Sequence, residues 1–266
     1  METLAGRNGG NWMLRPDARA SAPCRLFCLP FAGAGASQFF PWKSLLPPFV
    51  ELCTLQLPGR EGRFREPAFV RADEAAEHVA REMLAWIDRP YALFGHSMGA
   101  LLTFEVARSL RRRGCRLPFV LLLSGYPAPH LPRDQAPVSG LPKEQLIERL
   151  REMQGTPEVV LRDPELMNFL LPALRADFAI CETYTFREEP PLPIPMVVFG
   201  GAEDNEAPPP RLEPWRLHTS AGFRQETLPG GHFFLHSSRE RLLQHVVHAL
   251  RAGVGADAGE VAGARG

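Results

Sequence analysis

The chain has 266 residues, with 45% apolar and 23% charged side chains and 30 basic groups balanced by 30 acidic ones. This fits one α/β domain of ordinary globular composition, and the zero net charge excludes a general nucleic-acid binder, which carries a basic excess. Five scattered cysteines (Cys24, Cys28, Cys53, Cys115 and Cys181) exclude a disulfide framework and, without a Cys/His cluster, a zinc site; they read as reduced, small apolar groups.

Residues 1–21 are rich in Gly, Asn, Arg and Ala without periodicity and read as a flexible tail with no secretory signal. No run approaches the ~18 apolar residues of a membrane span, so no membrane contact and a cytoplasmic location are expected. The folded domain is expected over 22–251. The short segments 25–29, 51–56, 91–94, 119–123, 196–199 and 224–227 read as strands, most of them apolar runs. The run from Phe119 to Leu123 is apolar on both faces, as a buried parallel strand is. Between the strands, Ala76, Val79, Ala80, Met83, Leu84 and Ile87 form one helical stripe, with Asp73 and Glu74 near its start where the helix dipole favours acids. A helix over 98–113 follows a strand directly and stops before Gly114. From 127 to 195 the pattern is helical without a strand. Leu146, Ile147 and Leu150 form one stripe; Leu166, Phe169, Leu170, Leu174 and Phe178 form another, which Pro172 is expected to kink or restart. Leu242, Leu243, Val246, Val247 and Leu250 mark a closing helix, and 252–266 reads as a second flexible tail. Strands alternating with helices predict a mostly parallel sheet with helices on both faces and an all-helical insertion over its end.

The strongest local signal is Gly95-His96-Ser97-Met98-Gly99, between a strand and a helix. That context is the nucleophile elbow, where the turn is too tight for side chains beside the nucleophile. A serine needs a base, and on such a sheet the order is Ser, then Asp or Glu, then His. His232, in a loop after the last strand, fits the base better than His236, His245, His248 or the adjacent His96. Asp204, with Glu203 second, follows the penultimate strand and would hold the imidazole. Two backbone N–H groups are needed for the oxyanion. Met98 supplies one; Phe31, with Ala32 second, supplies the other from the loop Pro30-Phe31-Ala32-Gly33-Ala34-Gly35. Ala32, His96 and Phe233 are expected to contact the substrate. No G-x-G-x-x-G or G-K-[ST] motif is present, which argues against nucleotide binding, and no metal or cofactor is implied.

Leu29-Pro30-Phe31-Ala32-Gly33, Leu57-Pro58-Gly59-Arg60-Glu61, the elbow, Leu171-Pro172-Ala173-Leu174-Arg175-Ala176-Asp177, Gly200-Gly201-Ala202-Glu203-Asp204 and Leu228-Pro229-Gly230-Gly231-His232-Phe233 together resemble the type II thioesterases. The resemblance spans about 24–250 and departs at Phe31, where many members carry histidine. It implies an α/β-hydrolase fold, a lid formed by the insertion at 127–195, and hydrolysis of acyl thioesters on the phosphopantetheine arm of a carrier protein. It also implies an editing role beside a polyketide or nonribosomal peptide synthase; nothing in the sequence suggests an obligate dimer, and a monomer is expected. Alternatives are medium-chain fatty-acyl release, acyl transfer on the same fold, and a non-catalytic binding module. An acidic carrier face would dock on Arg60, Arg63 and Arg65 or on Arg111, Arg112 and Arg113, although Arg60 also fits a local ion pair.

Overall fold

The structure is a computed structural model that describes residues 12–263, with side chains described to residue 254. Its centre is a seven-stranded sheet: β1 (Met13–Leu14), β2 (Cys24–Leu29), β3 (Val50–Leu55), β4 (Tyr91–His96), β5 (Val120–Ser124), β6 (Met196–Gly201) and β7 (Phe223–Leu228). The spatial order is β1-β3-β2-β4-β5-β6-β7, parallel throughout except for the antiparallel edge strand β1.

Side-chain alternation divides the core. Phe27 and Leu29 of β2, Leu93 of β4, and Leu121 and Leu123 of β5 face one layer. There they meet α1 (Ala72–Met83), through Ala75, Ala76, Val79, Ala80 and Met83, and α2 (Met98–Arg112). Cys24, Leu26, Cys28, Phe94, Leu122 and Phe199 face the other layer, closed by Phe39, Trp42 and the helix carrying Leu242, Leu243, Val246 and Leu250. Apolar residues on both faces demand cover on both, which explains why the strands read as continuous apolar runs. Burial pushes the thiols of Cys24 and Cys53 up to about 12 and that of Cys28 well above its ordinary value, so all three remain protonated packing groups.

The insertion contributes α3 (Lys143–Met153), α4 (Glu158–Leu161) and α5 (Pro164–Glu182). Leu146, Leu150, Leu161, Met167, Leu171 and Leu174 give it a core of its own. Two short terms of the expectation change. Pro172 does not restart the helix: α5 runs through it, with Asp163 capping its start by accepting from the Glu165 and Leu166 N–H groups, both at 3.0 Å. Leu166 and Phe169 point outward, and the Phe169 ring meets Phe64 at 5.7 Å.

Both expected tails also differ where they are described. Met13 and Leu14 extend the sheet by pairing with Leu55 and Thr54. The short helix α6 (Phe234–Ser237) leads into the long α7 (Arg239–Gly263), which continues well past residue 251. Gly253 allows this, because a Cβ there would come within 2.0 Å of the Phe119 ring. Residues 1–11 and 264–266 lie outside the described residues. Among those described, no helix is long and apolar enough to cross a membrane.

Candidate active site

The candidate residues follow the carboxyl ends of four strands, where open α/β sheets place their sites. Phe31 follows β2, Ser97 follows β4, Asp204 follows β6 and His232 follows β7. Ser97 stands between β4 and α2 at φ 53° and ψ −123°. Its flanking glycines are obligatory. A Cβ on Gly95 would lie 2.0 Å from the Gly99 carbonyl oxygen, and one on Gly99 would lie 2.3 Å from that of Leu29. Neighbouring strands hold the elbow through the Ser97 N–H, which donates to the Ser124 carbonyl at 2.7 Å.

The three residues named from chain order converge. His232 Nε2 lies 3.0 Å from Ser97 Oγ, and His232 Nδ1 lies 2.9 and 3.1 Å from the two oxygens of Asp204. Asp204 is buried, and its Oδ1 accepts from the backbone N–H groups of Glu206 (2.8 Å) and Ala207 (3.0 Å). That turn fixes the carboxylate against the imidazole, while Glu203 is left exposed. His236 stacks on Phe233 and makes no bond to Ser97.

Ser97 and His232 open into a cavity of about 560 Å³ beneath the insertion. The candidate oxyanion donors Phe31 and Met98 and the candidate substrate contacts Ala32 and Phe233 line it beside them. The third expected contact, His96, is a correction. It is wholly buried and absent from the cavity lining, because as the last residue of β4 it points below the elbow. There its ring packs 5.1 Å from His232 and 5.8 Å from Phe31, and its Nδ1 meets Ser124 Oγ at 2.9 Å. Burial, with His232 and His236 nearby, holds it well below the ordinary histidine range, so it is a neutral support.

Phe31 replaces the family's frequent histidine with a ring packed edge-on against His96, Phe233 and His236, which shields that support from water. Sequence reasoning did not assign the far wall, where Tyr126, His130, Phe178, Tyr184 and Phe186 line the cavity. Phe178 was visible as part of the second lid stripe; the others sit in irregular segments that carry no period. Gly155, between α3 and α4, abuts Phe233, so the insertion touches the loop that carries His232. Among the described residues, no group of three or more His, Cys, Asp or Glu is placed to hold a metal ion.

The model of the thioesterase domain matches residues 24–250. The chain belongs to the thioesterase family. It is 41% identical to the gramicidin S biosynthesis protein GrsT of Aneurinibacillus migulanus over 90% of this chain and 94% of that protein. It is 39% identical to thioesterase PikA5 of Streptomyces venezuelae, over 86% and 81% of the two chains. Among solved structures, the RedJ thioesterase of the prodiginine pathway of Streptomyces coelicolor aligns with TM-score 0.82 and 41% identity, covering 87% of each chain. The fold is that of the α/β-hydrolases, and this thioesterase is a thioester hydrolase.

The docking expectation needs correcting. Arg60 and Arg63 are buried, the first on Asp177 and the second on Glu66 and the Trp12 ring, so neither is offered to a partner. Arg60 is not in a local pair either: Asp177 lies on a distant helix. Arg111 and Arg112 share Glu189, and Arg113 pairs with Glu77. Arg65 alone of the first group is exposed.

Proposed function

We propose that this thioesterase removes acyl groups held as thioesters on the phosphopantetheine arm of a carrier protein, as a stand-alone editing enzyme of a nonribosomal-peptide or polyketide pathway. The observation that carries the reading is the continuous line from Ser97 Oγ through His232 to Asp204 at the floor of the covered cavity. The similar solved thioesterases of NRPS/PKS pathways, ClbQ and YbtT, favour it over fatty-acid release. All the assigned groups come from one chain, so a monomer suffices, and free cysteines suit the cytoplasm.

Ser97 Oγ attacks the thioester carbonyl as its proton passes to His232 Nε2. Asp204 accepts the Nδ1–H, fixing the tautomer and stabilising the imidazolium. The carbonyl oxygen, now an oxyanion, is held by the Met98 N–H at the start of α2, where the first helical N–H groups have no intrahelical partner, and by the Phe31 N–H. The C–S bond breaks, and the imidazolium proton goes to the departing sulfur. Water then attacks the acyl-serine while His232 takes its proton. The acid leaves as Ser97 recovers its hydrogen.

Turnover of a panel of acyl-carrier thioesters, with fluorophosphonate labelling, tests this. Ser97→Ala is expected to lose at least about 10³-fold in kcat and to take no label. A variant that retains full activity would sink the reading.

A further inference from the structure

Two motifs that distinguish this chain, Leu57–Glu61 and Leu171–Asp177, have no part in the triad. They meet at Arg60 and Asp177. The guanidinium gives two hydrogen bonds to the carboxylate, Nη1 to Oδ2 at 2.6 Å and Nη2 to Oδ1 at 2.7 Å. The side chains are 7% and 0% exposed. A buried ion pair is a poor device for stability alone, because desolvation offsets most of its attraction. Its remaining contacts indicate what it holds.

Asp177 Oδ2 also accepts from the Gly33 N–H at 2.7 Å, and Arg60 Nη1 also donates to the Ala34 carbonyl at 3.3 Å. Residues 31–34 form a turn closed by the Ala34 N–H on the Phe31 carbonyl at 3.0 Å. Gly33, at φ +79°, sits third in it, the position where a type II turn requires positive φ. The pair therefore grips two of the backbone groups that the turn itself leaves open, the Gly33 N–H and the Ala34 carbonyl. Gln56 ties the next residues down, accepting from the Ala36 N–H and donating to the Arg60 carbonyl, both at 3.0 Å. From above, Leu174 presses on Gly33 so closely that a Cβ there would come within 2.5 Å of its Cδ2. This turn carries Phe31 and Ala32, the candidate sources of the second oxyanion N–H.

We propose that Asp177, acting with Arg60, is a positioning residue for thioester cleavage: it holds the 31–34 turn so that its N–H faces the oxyanion formed on Ser97. Because Asp177 belongs to α5, a seated lid helix becomes part of the oxyanion hole. The inference rests on the mechanism proposed above. It goes beyond that mechanism by assigning work to a residue that touches neither substrate nor triad.

The test compares Asp177→Ala and Asp177→Asn with the wild-type enzyme, well below their melting temperatures. Three quantities are measured: kcat and KM on an acyl-pantetheine thioester, the affinity of an alkyl boronic acid that forms a tetrahedral adduct with Ser97, and the affinity of an unreactive amide analogue of the substrate. Loss of one oxyanion donor costs on the order of 10²–10³-fold, so misplacement of that donor in Asp177→Ala is expected to lower kcat by roughly 30- to 300-fold. Boronate affinity should fall in parallel, while KM and amide affinity stay within about threefold. Asp177→Asn keeps an acceptor for the Gly33 N–H and loses the charge facing Arg60, so a fall of about five- to tenfold in kcat and boronate affinity is expected. It decides the matter alone if the alanine variant does not fold. Val79→Ala, a core change in α1, should lower Tm without altering the ratio of boronate to amide affinity. Wild-type kcat and boronate affinity in the folded Asp177 variants, with only Tm lowered, would overturn the proposal. Failure of the wild-type enzyme to cleave thioesters would instead overturn the functional reading.

Discussion

Ser97 holds a backbone conformation that costs a non-glycine residue free energy and persists only because its surroundings impose it. The imposing groups are backbone: the Ser124 carbonyl that receives its N–H, and the close approach of Gly95 and Gly99 to neighbouring carbonyls. Backbone cannot swing aside as a side chain can. Gly99→Ala is therefore expected to move the elbow, lowering kcat/KM on the order of 10²-fold and lowering Tm as well. Gly140→Ala, where a Cβ meets nothing within 4 Å, should leave both unchanged. Steady-state kinetics and thermal melting of the two variants check this, and equal behaviour would show that the steric argument fails. The convergence of Ser97, Asp204 and His232 was legible from chain order because each residue follows a recognisable strand. His96 was misassigned because sequence adjacency to Ser97 suggests proximity to substrate, whereas the sharp turn after β4 sends the two side chains to opposite sides. Phe31 was read as a candidate backbone donor, and its packing on His96 was not legible, since its other ring neighbours come from residues 233 and 236.

At the scale of elements, β2 to β6 could be read because burial on both faces leaves little choice of residue, whereas β7 is polar and only partly buried. The two-residue β1 could not, since two residues carry no period. Helical stripes gave the insertion its helices but not their partners: a period fixes which residues share a face, not what that face meets. Thus Leu174 lies over Gly33 while Phe169, from the same stripe, is 56% exposed against Phe64. The expected restart at Pro172 does not occur, for a related reason. The missing hydrogen bond penalises a helix, but α5 is held by packing on both sides of the proline, through Met167, Leu171, Leu174 and Asp177. The penalty is then still present in the native state. Pro172 is exposed, so replacing it removes no core packing. Pro172→Ala is expected to raise the free energy of unfolding by about 1 to 3 kcal/mol. Urea denaturation with an unchanged slope would show it; an unchanged or lower midpoint would mean that α5 bends at the proline in a way its packing requires.

Over the whole molecule, much of the balanced charge is held in internal ion pairs, several between residues distant in sequence. Arg25 meets Glu51, Arg60 meets Asp177, Arg108 meets Glu105 and Glu189, and Glu189 also serves Arg111 and Arg112. Composition could show the balance but not that the arginine clusters spend it internally. One buried ring remains outside this balance and links stability to pH. His218 is 8% exposed, packed against Phe104, Phe186 and Trp215, and its Nε2 lies 2.7 Å from His130 Nδ1 at the start of the insertion. Burial, with His130 and the Arg108 cation nearby, lowers it from 6.5 to about 4. The unfolded chain, with the ordinary value, takes up a proton that the folded chain refuses. Its contribution is thus fully present above pH 6.5 and is lost as pH falls toward 4. Between pH 7 and pH 4.5 that loss amounts to about 2 to 3 kcal/mol. His96 and His236 are also depressed and act in the same direction, so the total acid sensitivity is not the diagnostic quantity. The difference between wild type and His218→Gln is. The variant gives up the contact with His130 and should be less stable at pH 7, yet it should lose about 2 kcal/mol less than wild type on going to pH 4.5. Urea unfolding of both proteins at the two pH values measures this directly, and parallel losses would show that His218 is not the buried group that resists protonation.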